Sequence, residues 1–157
     1  MKEKDILDLM TDIPFFKPFT LKEKKILAST DTHIVQYRKG EQLIRQGDKD
    51  STIFVLLKGN LAITKNEVPD AELNTLSAGA IFGEVPLITG KPRSTNVIAK
   101  KKVIVLKMDS YLLKTLDPVI LNKFKDHLLK ILISRLDEMN SAMAAFKQEF
   151  EKMYRRL

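Results

Sequence analysis

Between residues 32 and 108 apolar residues recur with a period of two, in runs too short for anything but strands. The candidate strands are THIVQY (Thr32–Tyr37), EQLIRQ (Glu41–Gln46), TIFVLL (Thr52–Leu57), NLAITK (Asn60–Lys65), ELNTL (Glu72–Leu76), STNVIA (Ser94–Ala99) and KVIVLKM (Lys102–Met108). Turn dipeptides punctuate them: Lys39-Gly40, Gly47-Asp48, Lys58-Gly59, Pro69-Asp70, Ala78-Gly79 and Gly90-Lys91. Many short strands at such spacing form an antiparallel roll, a jelly-roll-like barrel, rather than a parallel sheet.

Helical patterns flank this zone, so the expected class is α+β. Upstream, KDILDLM and TLKEKKILAST read as short helices separated by a turn at DIPFFKPF. Thr20 caps the second helix, with Glu23 at the capping-box position. Downstream, Asp109 or Ser110 caps a short helix through Leu116, and Asp117-Pro118 supplies an N-cap followed by proline at the first helical position. No glycine or proline follows, so the last helix extends for roughly forty residues, about 60 Å. The organisation expected is a β-roll with its short helices over 1–116 and a long helix over 117–157, all one domain.

That long helix carries a seam. Leu129, Leu132, Leu136, Met139, Met143, Phe146, Phe150, Met153 and Leu157 alternate in steps of three and four, an unbroken a/d heptad pattern. Val119, Ile120, Phe124 and Leu128 form a second apolar face suited to packing on the roll. One helix cannot bury both faces, and a parallel homodimer through the seam is expected. The flanking positions show no clean charge code: Arg135, Ala142 and Glu149 face Asn140, Lys147 and Tyr154. Methionine in the seam leaves it soft and repackable.

Composition narrows function mainly by exclusion. The 157 residues contain no cysteine, which removes thiolate metal sites, disulfides and cysteine nucleophiles. Two histidines, His33 and His127, do not make an imidazole cluster. No nucleophile–base–orienter set is visible, so no enzyme is expected. No apolar run reaches the ~20 residues that cross a bilayer. MKEKDILDLM lacks a signal-peptide core, so the cytoplasm is expected. The formal charge of +7 is spread over the chain, with small groups only at Lys100–Lys102 and Arg155-Arg156.

One loop concentrates chemistry: FGEVPLITGKPRSTNV, residues 82–97. Gly83 leaves backbone open to close approach. VPLI suits a single helical turn, whose first N–H groups attract an anion. Arg93 supplies a guanidinium fork that matches a phosphodiester. Glu84 repels phosphate but accepts hydrogen bonds from a hydroxyl pair such as a ribose edge. An anion site beside a hydroxyl acceptor points to a sugar phosphate.

Phe82-Gly83-Glu84, then Leu87, then Pro92-Arg93-Ser94 resembles the phosphate-binding cassette of the cyclic-nucleotide-binding domain family. YRKGEQLIRQGDKDSTIFVLLKGNLAIT resembles that family's glycine-punctuated strands, IPFFKPFTLKEKKIL its N-terminal helices, and LISRLDEMN the start of its long C-terminal helix. The resemblance implies a sensor of cyclic AMP, less readily cyclic GMP, since Ser94 stands where cyclic-GMP-selective relatives often have threonine. It implies Arg93 on the phosphate, Glu84 on the ribose 2′-hydroxyl, and backbone amides around Gly83 and Ser94 on phosphate oxygens. Phe82, Val85, Leu87, Pro92 and Thr95 complete the cassette, and Arg135, Met139 and Asn140 match the region that contacts the base. No cofactor or metal is implied. Bacterial relatives with a DNA-binding domain carry it after the long helix; this sequence stops at Leu157, so DNA binding is not expected, and the downstream partner is an unidentified protein.

Two departures stand out. Pro86 occupies a position where the family usually offers an N–H, and proline has none. One phosphate hydrogen bond is then missing, about 1.5–3 kcal/mol if charged and desolvated. Thr95-Asn96 replaces the family's smaller pair, and Thr95 would crowd the pocket floor. The alternative reading is a dimerisation scaffold with a degenerate pocket.

Overall fold

The computed structural model describes residues 1–29 and 33–156. Thr30 and Thr32, at the edges of the second helix and first strand expected from sequence, and Leu157, at the end of the seam, lie outside the described residues. Three helical segments open the chain: α1 (Glu3–Thr11), a 3-10 turn (Pro14–Phe16) and α2 (Leu21–Ala28). Strands follow as β1 (Ile34–Tyr37), β2 (Gln42–Ile44), β3 (Ile53–Lys58), β4 (Asn60–Thr64), β5 (Asn74–Ser77), β6 (Ile81–Phe82), β7 (Asn96–Ala99) and β8 (Val103–Met108). Helix α3 (Val85–Thr89) sits between β6 and β7, and α4 (Ser110–Thr115) and α5 (Pro118–Arg155) follow β8.

Local chemistry fixes the helix starts. Thr20 Oγ1 accepts from the Glu23 amide at 3.2 Å while the Thr20 amide donates to Glu23 Oε2 at 2.8 Å, the reciprocal capping box. Asp109, not Ser110, caps α4, its Oδ1 accepting from the Leu112 amide at 2.8 Å. Asp117 Oδ1 accepts from the Val119 amide at 2.8 Å as Pro118 opens α5.

The strands form two antiparallel sheets, ordered β1-β8-β3-β6 and β2-β7-β4-β5. Chain neighbours β1 and β2, β3 and β4, β5 and β6, and β7 and β8 lie in opposite sheets, so each short turn steps from one layer to the other. This is the roll, but the expected barrel is not formed. No ladder among the described strands joins the two sheets: most connections cross between layers, while β4 and β5 pair as neighbours within one sheet. Strand β6 escaped the sequence pattern: two residues carry no period, and it exists through pairing with β3.

Between the layers lies a core that includes Phe54, Leu56, Leu61, Phe82, Val97 and Val105. Phe54 and Phe82 stack with centroids 5.1 Å apart and planes at 10°, worth about 0.5–1.5 kcal/mol beyond burial. In β3 five successive residues, Ile53 to Leu57, are buried because both faces of that strand are covered, α1 lying near its outer side. Phe15, Phe16 and Phe19 make a second aromatic cluster with centroids 4.7, 5.4 and 6.0 Å apart.

The chain divides into two compact units, residues 1–121 and 122–157. In the second, Phe124 and Leu128 are buried, whereas the seam residues Leu129, Leu136, Met139, Met143, Phe146, Phe150 and Met153 are 53% to 72% exposed.

Gly59, at the β3–β4 crossing, shows how tightly the layers turn. A β-carbon there would stand 2.6 Å from Val103 Cγ1 and 2.7 Å from the Lys102 carbonyl, at a φ of +103°. Gly40, at the β1–β2 crossing, has a φ of +87° and nothing within 4 Å. Gly59→Ala is therefore expected to cost roughly 2–4 kcal/mol, a fall in Tm of about 5–15 °C. Gly40→Ala carries only the conformational part. Thermal melts of the two variants check the difference; equal losses contradict the crowding.

Candidate functional site

The loop singled out in the sequence folds around one side chain. Arg93 is 4% exposed, and its side chain is met from three directions. Nη1 donates to the Gly83 carbonyl at 2.6 Å, and Nη2 donates to the Thr52 carbonyl and to Asp50 Oδ2, each at 2.7 Å. Its backbone is clamped as well: the Arg93 amide donates to the Asp48 carbonyl at 2.9 Å, and the Gly47 amide donates to the Arg93 carbonyl at 2.8 Å. The β2–β3 turn and the cassette are thus tied together through a single residue.

A guanidinium carries five N–H donors. Three are used in these bonds, and the Nε–H is buried with no acceptor among the described residues. An unsatisfied buried donor costs about 1–3 kcal/mol. This one belongs to a cation inside a loop built of small residues, where an anionic ligand would supply the missing acceptor.

Gly83 makes the cradle possible. Its φ is +81°, and a β-carbon would fall 2.8 Å from the Thr52 carbonyl, 2.9 Å from Arg93 Nη1 and 3.2 Å from Ile44 Cδ1. Any side chain would push the guanidinium from its acceptors. Glu84, next in sequence, is 4% exposed and stands as the N-cap residue of α3. VPLI forms the expected helical turn, ended by Gly90 in the left-handed conformation. Pro86 is buried within its first turn, where it offers no N–H. Phe82 lies in the core, Ser94 and Pro92 are exposed, Thr95 is half-buried, and Val85 and Leu87 are 45% and 40% exposed. A cavity of about 360 Å³ beside them is lined by Lys49, Asp50, Ser51, Pro86, Leu87, Gly90 and Lys91. Arg135, Met139 and Asn140 belong to α5, in the second unit.

Asp50 and Thr52 are site residues that the sequence reading missed. Asp50 Oδ1 accepts from the Thr52 amide at 3.0 Å and from Thr52 Oγ1 at 2.8 Å, which aims Oδ2 at Arg93. The available signal was an Asp-x-Thr turn opening a fully apolar strand, since a buried arginine requires a carboxylate. Burial alone would raise the Asp50 pKa, but hydrogen bonds from Arg93 and Thr52, together with the guanidinium charge, hold it below its ordinary 3.8.

Asn96, by contrast, faces away from the interior. Val97 and Ala99 point into the core, and Asn96 joins an amide network on the other face of the sheet. Its Oδ1 accepts from Gln42 Nε2 at 2.9 Å and from the Gln46 amide at 2.8 Å, and its Nδ2 donates to Asn66 Oδ1 at 2.8 Å. The residue pins the turn after β4 to β2 and β7.

Because the folded-state pKa of Asp50 is depressed, the carboxylate stabilises the fold at neutral pH. That contribution is lost as pH falls below 3.8 through the folded value. Asp50→Asn is expected to lower Tm at neutral pH, with the gap from wild type closing in acid. Melting curves across pH check this; a gap independent of pH contradicts it.

Comparison with known proteins bears on the family and the fold. A family model described as the cyclic nucleotide-binding domain matches residues 34–116. Human cGMP-dependent protein kinase 2 is 36% identical over 85 residues, covering 52% of this chain and 11% of the kinase. The cAMP-dependent protein kinase regulatory subunit of Mycosarcoma maydis is 30% identical over 91 residues, covering 57% of this chain and 17% of that protein. The chain therefore matches a small part of each of these longer relatives. A solved cyclic nucleotide-binding domain from Methylobacillus flagellatus superposes with a TM-score of 0.69 at 26% identity, covering 87% of this chain and 79% of that one. A structure of PKAR CBD2 with Sp-2Cl-cAMPS bound gives a TM-score of 0.67 at 24% identity over 89% of this chain and 90% of that one, a likeness of fold.

Proposed function

This chain belongs to the cyclic nucleotide-binding domain family, and from that premise we propose that it is a cyclic AMP sensor that relays occupancy through α5. The observation that carries the reading is the buried Arg93, locked by Asp50, Thr52 and Gly83 yet retaining an Nε–H without an acceptor. A cyclic phosphodiester supplies that acceptor and a countercharge. Glu84, buried beside Gly83, takes the ribose 2′-hydroxyl. The backbone around Gly83 and Ser94 contributes amide donors to the phosphate oxygens. Arg135, Met139 and Asn140 of α5 are assigned to the base by resemblance.

The family consists of binding domains rather than catalysts, so the work done is a shift in population. The ligand favours one arrangement of the protein by its differential affinity alone. The exposed seam of α5 is read as a homodimer contact that passes this shift to a protein partner. Cyclic GMP is the less favoured ligand, Ser94 standing where threonine would support it.

A second reading, a dimerising scaffold with an inactive pocket, draws on Pro86. That buried proline removes one amide from the turn expected to hold the phosphate.

Calorimetric titration of the chain with cyclic AMP and cyclic GMP separates the two. The sensor reading expects micromolar binding of cyclic AMP, weaker binding of cyclic GMP, and a loss of at least about a hundredfold on Arg93→Ala, as for a buried charged partner. No heat from either nucleotide at millimolar concentration contradicts it and leaves the scaffold.

A further inference from the structure

The seam on α5 has a direction. Among the described residues of the seam, Leu132 is half-buried and the others stand exposed along a helix that runs from Pro118 to Arg155. Paired in parallel, each seam residue would meet itself. Leucine layers at Leu129, Leu132 and Leu136 would then give way to Phe146 on Phe146 and Phe150 on Phe150. Helix separation follows the size of the residues in contact. A parallel pair would be narrow along its leucine layers and forced apart around Phe146 and Phe150. The flanking positions would add no ion pair, Arg135 meeting Asn140 and Glu149 meeting Tyr154.

Reversing one helix removes both mismatches. With Ser141 at the crossing, Leu129 meets Met153 of the second copy, Leu132 meets Phe150, Leu136 meets Phe146, and Met139 meets Met143. Each of these layers then pairs a larger side chain with a smaller one, or methionine with methionine, and the helices keep an even separation from Leu129 to Met153. In the same register the flanking Arg135 faces Glu149 of the second copy, twice by symmetry, and Ala142 faces Ala142 at the centre. We infer that the α5 seam binds a second copy of this chain in the antiparallel sense, with Arg135 and Glu149 setting the register. The inference rests on the dimer reading above and replaces the parallel orientation expected from the sequence. The two Leu129 residues then lie at opposite ends of the seam, about 36 Å apart along it.

The absence of native cysteine makes the orientation directly readable. Full-length chains carrying Leu136→Cys and Phe146→Cys, one of them mass-tagged, are mixed and oxidised with diamide. The antiparallel register yields the mixed disulfide in preference to like–like products. A parallel pair holds those positions about 15 Å apart and yields like–like products, which overturns the orientation and leaves the dimer standing. Wild-type chain that sediments as a monomer at high micromolar concentration overturns both. Charge exchange gives a second test that adds no cysteine. Arg135→Glu or Glu149→Arg alone weakens dimerisation about tenfold, and the double variant recovers it. Independent effects of the two substitutions overturn the register.

Discussion

A charged side chain taken out of water must be met on all sides, and Arg93 is the one the cassette is built around. A buried cation is tolerable only where geometry supplies acceptors and countercharge. Here they come from two separated places in the sequence: Asp50 and Thr52 before β3, and Gly83 after β6. The backbone bonds of Arg93 to Gly47 and Asp48 bind the same turn a second time. The position of the guanidinium therefore fixes the turn, the cassette and the mouth of β7 together.

Around that cation the remaining choices follow. Gly83 has no side chain because a β-carbon would collide with both the Thr52 carbonyl and the guanidinium. Asp50 balances the charge while one of its oxygens is held by Thr52, so the carboxylate is aimed before any ligand arrives. The unsatisfied Nε–H leaves the protein's own acceptors one short. Under the proposed reading, the phosphate of the cyclic nucleotide meets that residual demand. On the same reading, Pro86 lowers the number of amides that turn can offer the phosphate, so binding would rest more heavily on Arg93.

Much of this was legible in the residues. Period-two runs between glycine turns placed most of the strands, and Thr20, Glu23, Asp109 and Asp117-Pro118 marked helix starts, because those signals depend on neighbours in sequence. The cassette was visible since its residues share one loop. What escaped depends on partners far along the chain. Strand β6 is a product of pairing with β3, and Asp50 meets Arg93 across 43 positions. Closure into a barrel depends on which layers the turns join, which local pattern does not encode. Asn96 stood out in the sequence only as a departure from the family's pair; its role depends on strand alternation, which turns it to the opposite face, where its amide ties β2, β7 and the turn after β4 together.

The central claim is that Arg93 holds a donor in reserve for a phosphodiester, and its Nε–H reports this directly. In ¹H–¹⁵N spectra recorded as cyclic AMP is added, the account predicts that this resonance moves downfield and exchanges more slowly with solvent, as a new acceptor closes on it. A resonance that stays at its ligand-free position and exchange rate under saturating nucleotide would contradict it.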